Sequence, residues 1–242
     1  MAAKPPRYSQ LDPERVRANV AAARERIGAA CARVGRDPAS VELLAATKYV
    51  EAEELETLVA AGVELVGENT ARDLVAKHDR FGDLLTFDFI GHLQSRKTRD
   101  VLPRVRLIHS VESESVLRQI ERHASGRTRV LVEVNVSGEQ SKHGLAPEAV
   151  DAFVASAAAY SKVGFAGLMT MPPLSAEADL ARPYFVALRE LAERLRRSWQ
   201  GTHEFETLSM GTSQDFEVAV EEGATLVRLG GVLYASEPKS GI

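Results

Sequence analysis

Short apolar runs alternate with longer amphipathic segments along most of the chain. Eight runs have the apolar and β-branched composition of buried strands; they are VELLAAT (41–47), ELVGE (64–68), TFDFIG (86–91), RLIHSV (106–111), RVLVEVNV (129–136), GFAGLMTM (164–171), ETLSMG (206–211) and TLVRLG (225–230). Segments rich in Ala, Leu, Glu and Arg follow them and indicate helices; they include EAEELETLVAAG (51–62), LQSRKTRDVL (93–102), SESVLRQIERHA (113–124), PEAVDAFVASAAAY (147–160), ARPYFVALRELAERLRRSW (181–199) and SQDFEVAVEEG (213–223).

A long amphipathic helix is predicted before the first strand. Asp12 is its expected N-cap, and Pro13 occupies the first helical position. Apolar residues then recur at helical spacing; they are Val16, Val20, Ile27 and Val34.

Eight strand–helix units in 242 residues predict an α/β fold, a single (β/α)8 TIM barrel with this extra N-terminal helix. The alternative is an open doubly wound sheet. Such a sheet should carry a Gly-rich turn after its first strand, and AATKYVEAEEL (45–55) has none. We expect one domain over residues 1–242, with its core at about residues 12–236 and frayed polar ends.

Composition narrows the classes of function. The formal net charge of −4 provides no overall basic field that would attract nucleic acid. Cys31 is the only cysteine, which excludes an intramolecular disulfide and a thiolate-rich metal site and favours a reducing cytoplasm. No apolar run approaches the roughly 20 residues that span a bilayer. We therefore expect a cytoplasmic protein that binds neither nucleic acid nor membranes.

In a barrel of this kind the carboxyl ends of the strands surround one mouth, where sites are built. Polar residues and glycines, together with one methionine, are concentrated at these ends, which solubility alone does not require. They are Lys48, Glu68, Asn69, Gly91, His92, Gln94, Asn135, Ser137, Lys142, Met169, Thr170, Ser209, Gly211, Arg228, Gly230 and Gly231. This concentration predicts a small-molecule site at the mouth.

Lys48 ends the run LLAATK and has two interpretations. A lone strand-end lysine usually extends its ammonium into solvent. In a mostly apolar mouth, desolvation would instead lower the pKa of the amine and free it to attack an aldehyde. Lys48 by itself does not decide between the two.

Two neighbouring strand ends indicate an anion site. Ser209, Gly211 and Ser213 stand between a strand and a helix, and Gly230 and Gly231 offer unobstructed amides after the last strand. Either segment alone is equally compatible with a Ser N-cap and turn glycines. Barrels often hold phosphate after their seventh and eighth strands, so together the segments favour a phosphate.

Arg228 precedes Gly230 by two residues and therefore shares its face of the strand. If that face is inward, the arginine is buried and needs a partner. The residues leave open an ion pair with Glu68 or Glu133, or donation to an aromatic ring nitrogen.

The histidines provide weaker evidence for a catalytic or metal-binding site. The six histidines lack metal-ligand spacing, so we expect local hydrogen bonds for His92 and His109 and no metal site. The basic residues Arg96, Lys97 and Arg99 are expected on a solvated helix face.

Six motifs occur in order between Val41 and Tyr234: ATKY, GEN, FIGHLQSRK, VNVSGEQSKHGL, GLMTM and LSMGTSQDFEVAVEEGATLVRLGGVLY. Together they resemble the pyridoxal phosphate homeostasis proteins, a family related to the N-terminal barrel of alanine racemase. The resemblance implies a fold-type III barrel that carries pyridoxal 5'-phosphate (PLP) as an internal aldimine, a Schiff base, on the lysine corresponding to Lys48.

The resemblance also implies roles for the other residues of the mouth. Asn69 is expected beside the cofactor ring, Met169 in the pocket lining and Arg228 at the pyridine nitrogen. The implied phosphate cradle consists of Ser209, Gly211, Ser213, Gly230 and Gly231. The family often has proline where Tyr49 or His92 stands, and we expect these departures to tune the pocket edge without abolishing binding.

An arginine at the ring nitrogen stays cationic and disfavours protonation of that nitrogen, so the ring is a poor electron sink. Related racemases also use a tyrosine from an added β domain of a partner subunit, and we expect no such domain after Tyr234. The resemblance therefore implies a PLP carrier in vitamin B6 homeostasis, with no catalytic residues and no robust turnover. We expect a monomer that contacts apo-enzymes transiently, and Lys142 is a hypothetical second amine for the aldehyde in transit.

Two alternatives stay open. One is an enzyme that uses the same aldimine, as a slow amino-acid racemase or a lyase. The other is a barrel synthase or aldolase whose Lys48 forms a Schiff base with a sugar phosphate, which fits the lysine and the phosphate cradle equally well.

Overall fold

The computed structural model describes residues 8–139 and 142–235. Eight parallel strands close into a barrel in chain order, which confirms the predicted (β/α)8 fold and excludes the open sheet. The strands are β1 (Glu42–Ala46), β2 (Leu65–Glu68), β3 (Thr86–Phe89), β4 (Leu107–Val111), β5 (Thr128–Glu133), β6 (Val163–Met169), β7 (Thr207–Ser209) and β8 (Leu226–Leu229).

Helices surround the barrel. The α-helices of the described residues are α1 (Pro13–Arg33), α2 (Leu55–Ala60), α3 (Ala71–Phe81), α4 (Thr98–Val101), α5 (Glu114–His123), α6 (Val150–Ser156), α7 (Arg182–Ser198), α8 (Phe216–Glu221) and α9 (Gly231–Tyr234). Short 3₁₀ helices cover Pro38–Ser40, Ala52–Glu54, Ser95–Lys97, Leu102–Arg104, Pro147–Ala149, Ala157–Ala159 and Ala178–Ala181. The segments named from the sequence did not include α3.

The leading helix forms as the sequence predicts. Asp12 accepts hydrogen bonds from the backbone amides of Glu14 and Arg15, and Pro13 opens the helix. Val34 departs from the predicted apolar face, because it caps the helix and is 44% exposed. The helix packs against α2, α8 and α9, which are the neighbours of β1 and β8 along the chain.

Six strands end earlier than predicted, by one to three residues, because the chain leaves the sheet at the mouth. β5 ends at Glu133 instead of at Val136. Beyond it, Val134 forms only an isolated bridge with Leu145. β6 ends at Met169, so the residues after it belong to a loop.

The barrel interior is apolar toward the amino ends of the strands. One interior cluster contains Leu44, Leu65 and Leu226. Arg228 pairs with Leu44 across the β1–β8 seam. Because side chains alternate along a strand, Arg228 shares the inward face of Leu226 but lies closer to the mouth.

The N-terminal segment belongs to the fold from Tyr8 onward, which corrects the expected frayed end at this point. Tyr8 forms a parallel bridge with Val50, and the Glu51 amide donates to the Tyr8 carbonyl at 3.0 Å. The Tyr8 ring packs against Tyr234 at a centroid distance of 5.2 Å. The remaining predicted frayed ends, residues 1–7 and 236–242, lie outside the described residues.

Two further expectations concern the surface and the lone cysteine. Arg96, Lys97 and Arg99 are exposed, as predicted, and Cys31 is buried with a free thiol. In the part of the chain that the structure describes, no helix combines the length and the apolar composition needed to cross a bilayer.

Candidate functional site

Lys48 lies in a turn two residues beyond β1 and is half-buried. Its Nζ lies 5.1 Å from the centroid of the Tyr49 ring, and it makes no hydrogen bond or ion pair with any described residue. Burial, and secondly the positive charge of Arg228, lower the pKa of the Lys48 amine below its ordinary value of 10.5. An amine in this state is a better nucleophile than a solvated lysine.

Arg228 is buried and held by its two terminal nitrogens. Nη1 donates to the Ser209 carbonyl at 2.8 Å and to Ser209 Oγ at 2.5 Å. Nη2 donates to the Thr170 carbonyl at 2.9 Å and contacts Met171 Sδ at 2.8 Å. Nε hydrogen-bonds to none of the described residues. Burial lowers the pKa of the guanidinium to about 10, so the group stays charged at neutral pH.

Neither carboxylate considered as a partner bonds to Arg228. Glu68 pairs instead with Lys77, at 2.6 Å between Lys77 Nζ and Glu68 Oε1. The Glu133 charge favours the Arg228 cation, but no hydrogen bond joins the two among the described residues. The remaining partner considered from the sequence is an aromatic ring nitrogen supplied by a ligand, and Arg228 Nε is the donor available for it.

A buried polar network extends from Arg228 across the barrel interior. His109 Nδ1 lies 2.9 Å from Ser209 Oγ, and His109 Nε2 lies 3.1 Å from Asp88 Oδ2. Arg106 Nη2 donates to Asp88 Oδ2 at 2.7 Å. Burial would raise the pKa of Asp88, but the hydrogen bonds from His109 and Arg106 hold it below its usual value. The network fixes Ser209, and Ser209 in turn fixes Arg228.

The protonation of His109 follows from this network. Burial lowers the pKa of the imidazole, against the opposing effect of Asp88, so the ring is neutral at pH 7. A neutral ring satisfies both contacts when Nε2 donates to Asp88 and Nδ1 accepts from the Ser209 hydroxyl. The sequence predicted local hydrogen bonds for His109; the hydrogen bonds are present, but their partners lie 21 and 100 residues away along the chain.

Two glycine loops meet beside this network. Gly211 has φ +92°, and a Cβ there would lie 2.6 Å from the Ala219 Cβ, so glycine is required. The Gly230 amide donates to Ser213 Oγ at 3.2 Å and joins the loops. A Cβ on Gly230 would meet only Ala46, at 3.8 Å, so the space beside this residue is open.

The position of α8 corrects one part of the anion-site prediction. The helix begins at Phe216 instead of at Ser213. Asp215 Oδ1 accepts hydrogen bonds from the Thr212 amide, at 2.6 Å, and from the Thr212 hydroxyl, at 3.0 Å. Gly211 and Ser213 therefore lie in a loop stabilised by Asp215, one turn before the helix.

The other predicted residues lie near the mouth. Asn69 directly follows β2 and is half-buried, and its backbone abuts Gly91, where a Cβ would collide with it. Met169 is 2% exposed and belongs to an interior cluster with Leu107 and Leu131. Lys142 is half-buried, and its amide donates to the Glu139 carbonyl at 3.1 Å.

The sequence interpretation missed the buried lysine behind the mouth. Lys77, on α3, is 1% exposed, and its Nζ donates to the Thr47 carbonyl at 2.7 Å and to Glu68 Oε1 at 2.6 Å. Thr47 Oγ1 also donates to Glu68 Oε1, at 2.5 Å. These bonds anchor the residue directly before Lys48. A lysine at helical spacing from Leu74 and Phe81, on the apolar face of α3, was the available signal.

Together the mouth offers a half-buried nucleophilic amine, a fixed cation with one unpaired donor, and two glycine loops with an open recess. This donor set fits a ligand that combines an aldehyde, an aromatic nitrogen and a phosphate, which is the chemistry of PLP. A ligand without a hydrogen-bond acceptor would leave Arg228 Nε unpaired among the described residues.

The chain is similar to known proteins in sequence and in fold. The family profile described as "Alanine racemase, N-terminal domain" matches residues 11–238. The pyridoxal phosphate homeostasis protein of Aquifex aeolicus is 39% identical over 214 residues, which cover 87% of this chain and 93% of that protein.

Two solved structures are also similar to this chain in fold. The structure of PipY from Synechococcus elongatus with PLP bound is similar with a TM-score of 0.76 and 29% identity, covering 88% of this chain and 99% of that chain. The alanine racemase of Corynebacterium glutamicum shares the fold with a TM-score of 0.72 and 15% identity; the match covers 96% of this chain and 63% of the racemase.

Proposed function

Because this chain belongs to the pyridoxal phosphate homeostasis proteins, a family built on the N-terminal domain of alanine racemase, we propose that it binds PLP and acts in intracellular PLP homeostasis. The single observation that carries the proposal is the half-buried Lys48 amine, which has no hydrogen-bond or ion-pair partner among the described residues and whose pKa the Arg228 charge helps to lower. A lysine that only extends into solvent at this strand end would keep its ordinary pKa, because its amine would not be desolvated by burial.

Lys48 holds the cofactor covalently in this proposal. Its Nζ would be the atom joined to the aldehyde carbon of the cofactor, with the aldehyde oxygen lost as water. The addition requires the neutral amine, and the lowered pKa of Lys48 raises the neutral fraction at a given pH. Lys77 supports this step from behind, because it fixes the carbonyl of Thr47.

We assign the phosphate to the two glycine loops, with Gly211, Ser213, Gly230 and Gly231 as the cradle. The Ser209 hydroxyl already bonds to Arg228 and to His109, which supports a positioning role for it instead of the phosphate contact implied by the resemblance. In the same proposal, Asn69 and Met169 flank the cofactor ring.

Arg228 makes the site suited to binding more than to turnover. With its terminal nitrogens already engaged, Nε is the donor that remains for the pyridine nitrogen. A guanidinium whose pKa is about 10 does not give up its proton to that nitrogen at neutral pH. PLP withdraws electrons from a bound carbon most strongly when its ring nitrogen is protonated, so carbanion chemistry is handicapped. We therefore propose a carrier without robust catalysis.

A transfer experiment tests the carrier function. The protein is loaded with PLP and mixed with an apo-transaminase, with a phosphatase present to destroy free PLP. Activation of the transaminase despite the phosphatase is the expected result, since it requires direct transfer. If the phosphatase abolishes activation, the cofactor passes through solution and the delivery role fails, although binding stands.

Two variants and one substrate assay sharpen this test. Lys142→Ala should slow transfer if that amine takes the aldehyde in transit, whereas the exposed Lys97→Ala should not. Exchange of the α-proton of L-alanine in D2O, followed by NMR, should stay near the rate of free PLP; exchange far above it would favour the racemase alternative. A monomeric state, contact with apo-enzymes and a cytoplasmic location stay predictions.

A further inference from the structure

Three potential ligand residues that are far apart in the sequence meet at the barrel mouth. His92 follows β3, Glu112 follows β4, and His143 lies in the loop between β5 and α6. His92 Nδ1 is 3.1 Å from Glu112 Oε1, and His143 Nδ1 is 3.7 Å from the same oxygen. The ligand atoms of the three side chains all lie within 4.8 Å of one another. The sequence interpretation expected no metal site, because it considered spacing along the chain alone.

The arrangement is oriented in the way that metal ligands are. The two imidazoles stack with centroids 4.6 Å apart and planes 24° apart, so both direct Nδ1 toward one carboxylate oxygen. The second oxygen, Oε2, accepts a hydrogen bond from the Gly144 amide. That bond holds the carboxylate from behind and leaves Oε1 directed at the imidazoles, as outer hydrogen bonds do in metal sites.

The distances suit a small divalent ion. Zinc bonds to imidazole nitrogen and carboxylate oxygen at about 2.0–2.2 Å, which separates neighbouring ligand atoms of a tetrahedron by roughly 3.3–3.5 Å. The separations of 3.1 and 3.7 Å lie on either side of that range. The His92 and His143 side chains are 44% and 65% exposed, so small rotations of either ring adjust the remaining separation.

The donor set also selects the kind of ion. Calcium and magnesium prefer oxygen ligands, whereas two imidazoles with one carboxylate suit Zn²⁺, Co²⁺, Ni²⁺ and Cu²⁺. Three protein ligands with exposed rings leave a coordination position open to solvent, as in zinc sites that bind a further ligand.

We propose that His92, Glu112 and His143 bind a zinc-class transition-metal ion, with solvent in the open coordination position. The proposal does not depend on PLP: the three residues belong to loops on the β3–β5 side, and none of them is among the residues assigned to hold the cofactor.

Titration of the cofactor-free full chain, purified without a polyhistidine tag, with Co²⁺ tests the proposal. The expected result is one equivalent of saturable visible d–d absorption, displaced by one equivalent of Zn²⁺. His143→Ala and Glu112→Gln should each weaken Zn²⁺ binding at least about tenfold, since even the loss of an outer-shell partner costs that much. The exposed His123→Ala is the matched control and should bind as the unmodified protein does.

Unfolding of each variant without metal distinguishes a lost ligand from a lost fold. The variants should unfold near the temperature of the unmodified protein, and Zn²⁺ should raise that temperature for the unmodified protein and for His123→Ala only. The absence of saturable one-to-one binding overturns the proposal, as does equal affinity in His143→Ala and His123→Ala. In either case the cluster is a stacked pair of imidazoles beside the Glu112 carboxylate and holds no metal ion. Lys48→Ala should retain the metal, so failure here is separate from failure of PLP binding.

Discussion

Lys77→Met should destabilise the protein far more than its position outside the ligand site suggests. Lys77 is 1% exposed, and its ammonium donates to the Thr47 carbonyl at 2.7 Å and to Glu68 Oε1 at 2.6 Å. Methionine fills a similar volume but donates nothing. Glu68 then stays buried with only the Thr47 hydroxyl as donor.

The size of the loss follows from the burial. Burial raises the pKa of the Glu68 carboxyl, and the charge of Lys77 is the main opposing influence. Removing one partner of a buried ion pair costs about 3–5 kcal/mol, because the other charge is left uncompensated. In a chain of this length each kcal/mol lowers the melting temperature by about 2–4 °C, so a drop of roughly 6–20 °C is expected.

Urea unfolding of the cofactor-free protein near neutral pH measures this loss. Lys97→Met is the control, since Lys97 forms an exposed pair with Asp100 at 3.7 Å, and such pairs contribute about 1 kcal/mol or less. The double variant with Glu68→Met should recover much of the stability, because replacing both charges leaves neither unpaired. A loss for Lys77→Met as small as that of Lys97→Met would refute the reasoning.

Three further outcomes concern the mouth. Gly230→Ala should weaken PLP binding at least about tenfold relative to Gly126→Ala by spectrophotometric titration, a loss of ~1.4 kcal/mol, because its Cβ enters the open space 3.8 Å from Ala46 where the phosphate is assigned. Equal affinities of the two variants would show that the recess holds no phosphate. Arg228→Met should raise the pKa of Lys48 toward 10.5, because the Arg228 charge is one cause of the lowered Lys48 pKa. The pH midpoint of PLP capture should therefore move upward, and an unchanged midpoint would contradict this coupling. Lys48→Met should stabilise the cofactor-free protein against urea at neutral pH, because burial makes the charged form of Lys48 unfavourable in the folded protein. This gain in stability should vanish above pH 10.5, where the amine is neutral in both the folded and the unfolded state. A gain that is independent of pH would show that packing causes it.

The sequence predicted the elements whose signal is local. Strand runs, the Asp12–Pro13 start of α1, and polar groups at strand ends are all expressed within a few residues. Their geometry follows once the barrel closes, because parallel strands place their carboxyl ends at one mouth. The closed barrel therefore brings Lys48 and Arg228 to the same mouth although 180 residues separate them.

The side-chain pairings that the sequence did not predict depend on strand register and on whether each side chain points into the barrel or toward the helices. Glu68 was considered as a partner of Arg228, but strand alternation directs it outward to Lys77 on α3. His109 and Asp88 meet Ser209 only because three different strands place them at one level inside the barrel. His92 and His143 are joined through Glu112 by loops of three successive units. Pairings of this kind have no fixed spacing along the chain, so sequence patterns do not reveal them.

The most direct test of the account is covalent capture at Lys48. The protein is incubated with PLP, reduced with borohydride, digested and mapped by mass spectrometry, beside Lys48→Ala and Lys142→Ala treated identically. The account predicts a phosphopyridoxyl group on the peptide that contains Lys48, with equal labelling in Lys142→Ala and none at that peptide in Lys48→Ala. Labelling spread over surface lysines, with equal total incorporation in Lys48→Ala, would contradict it.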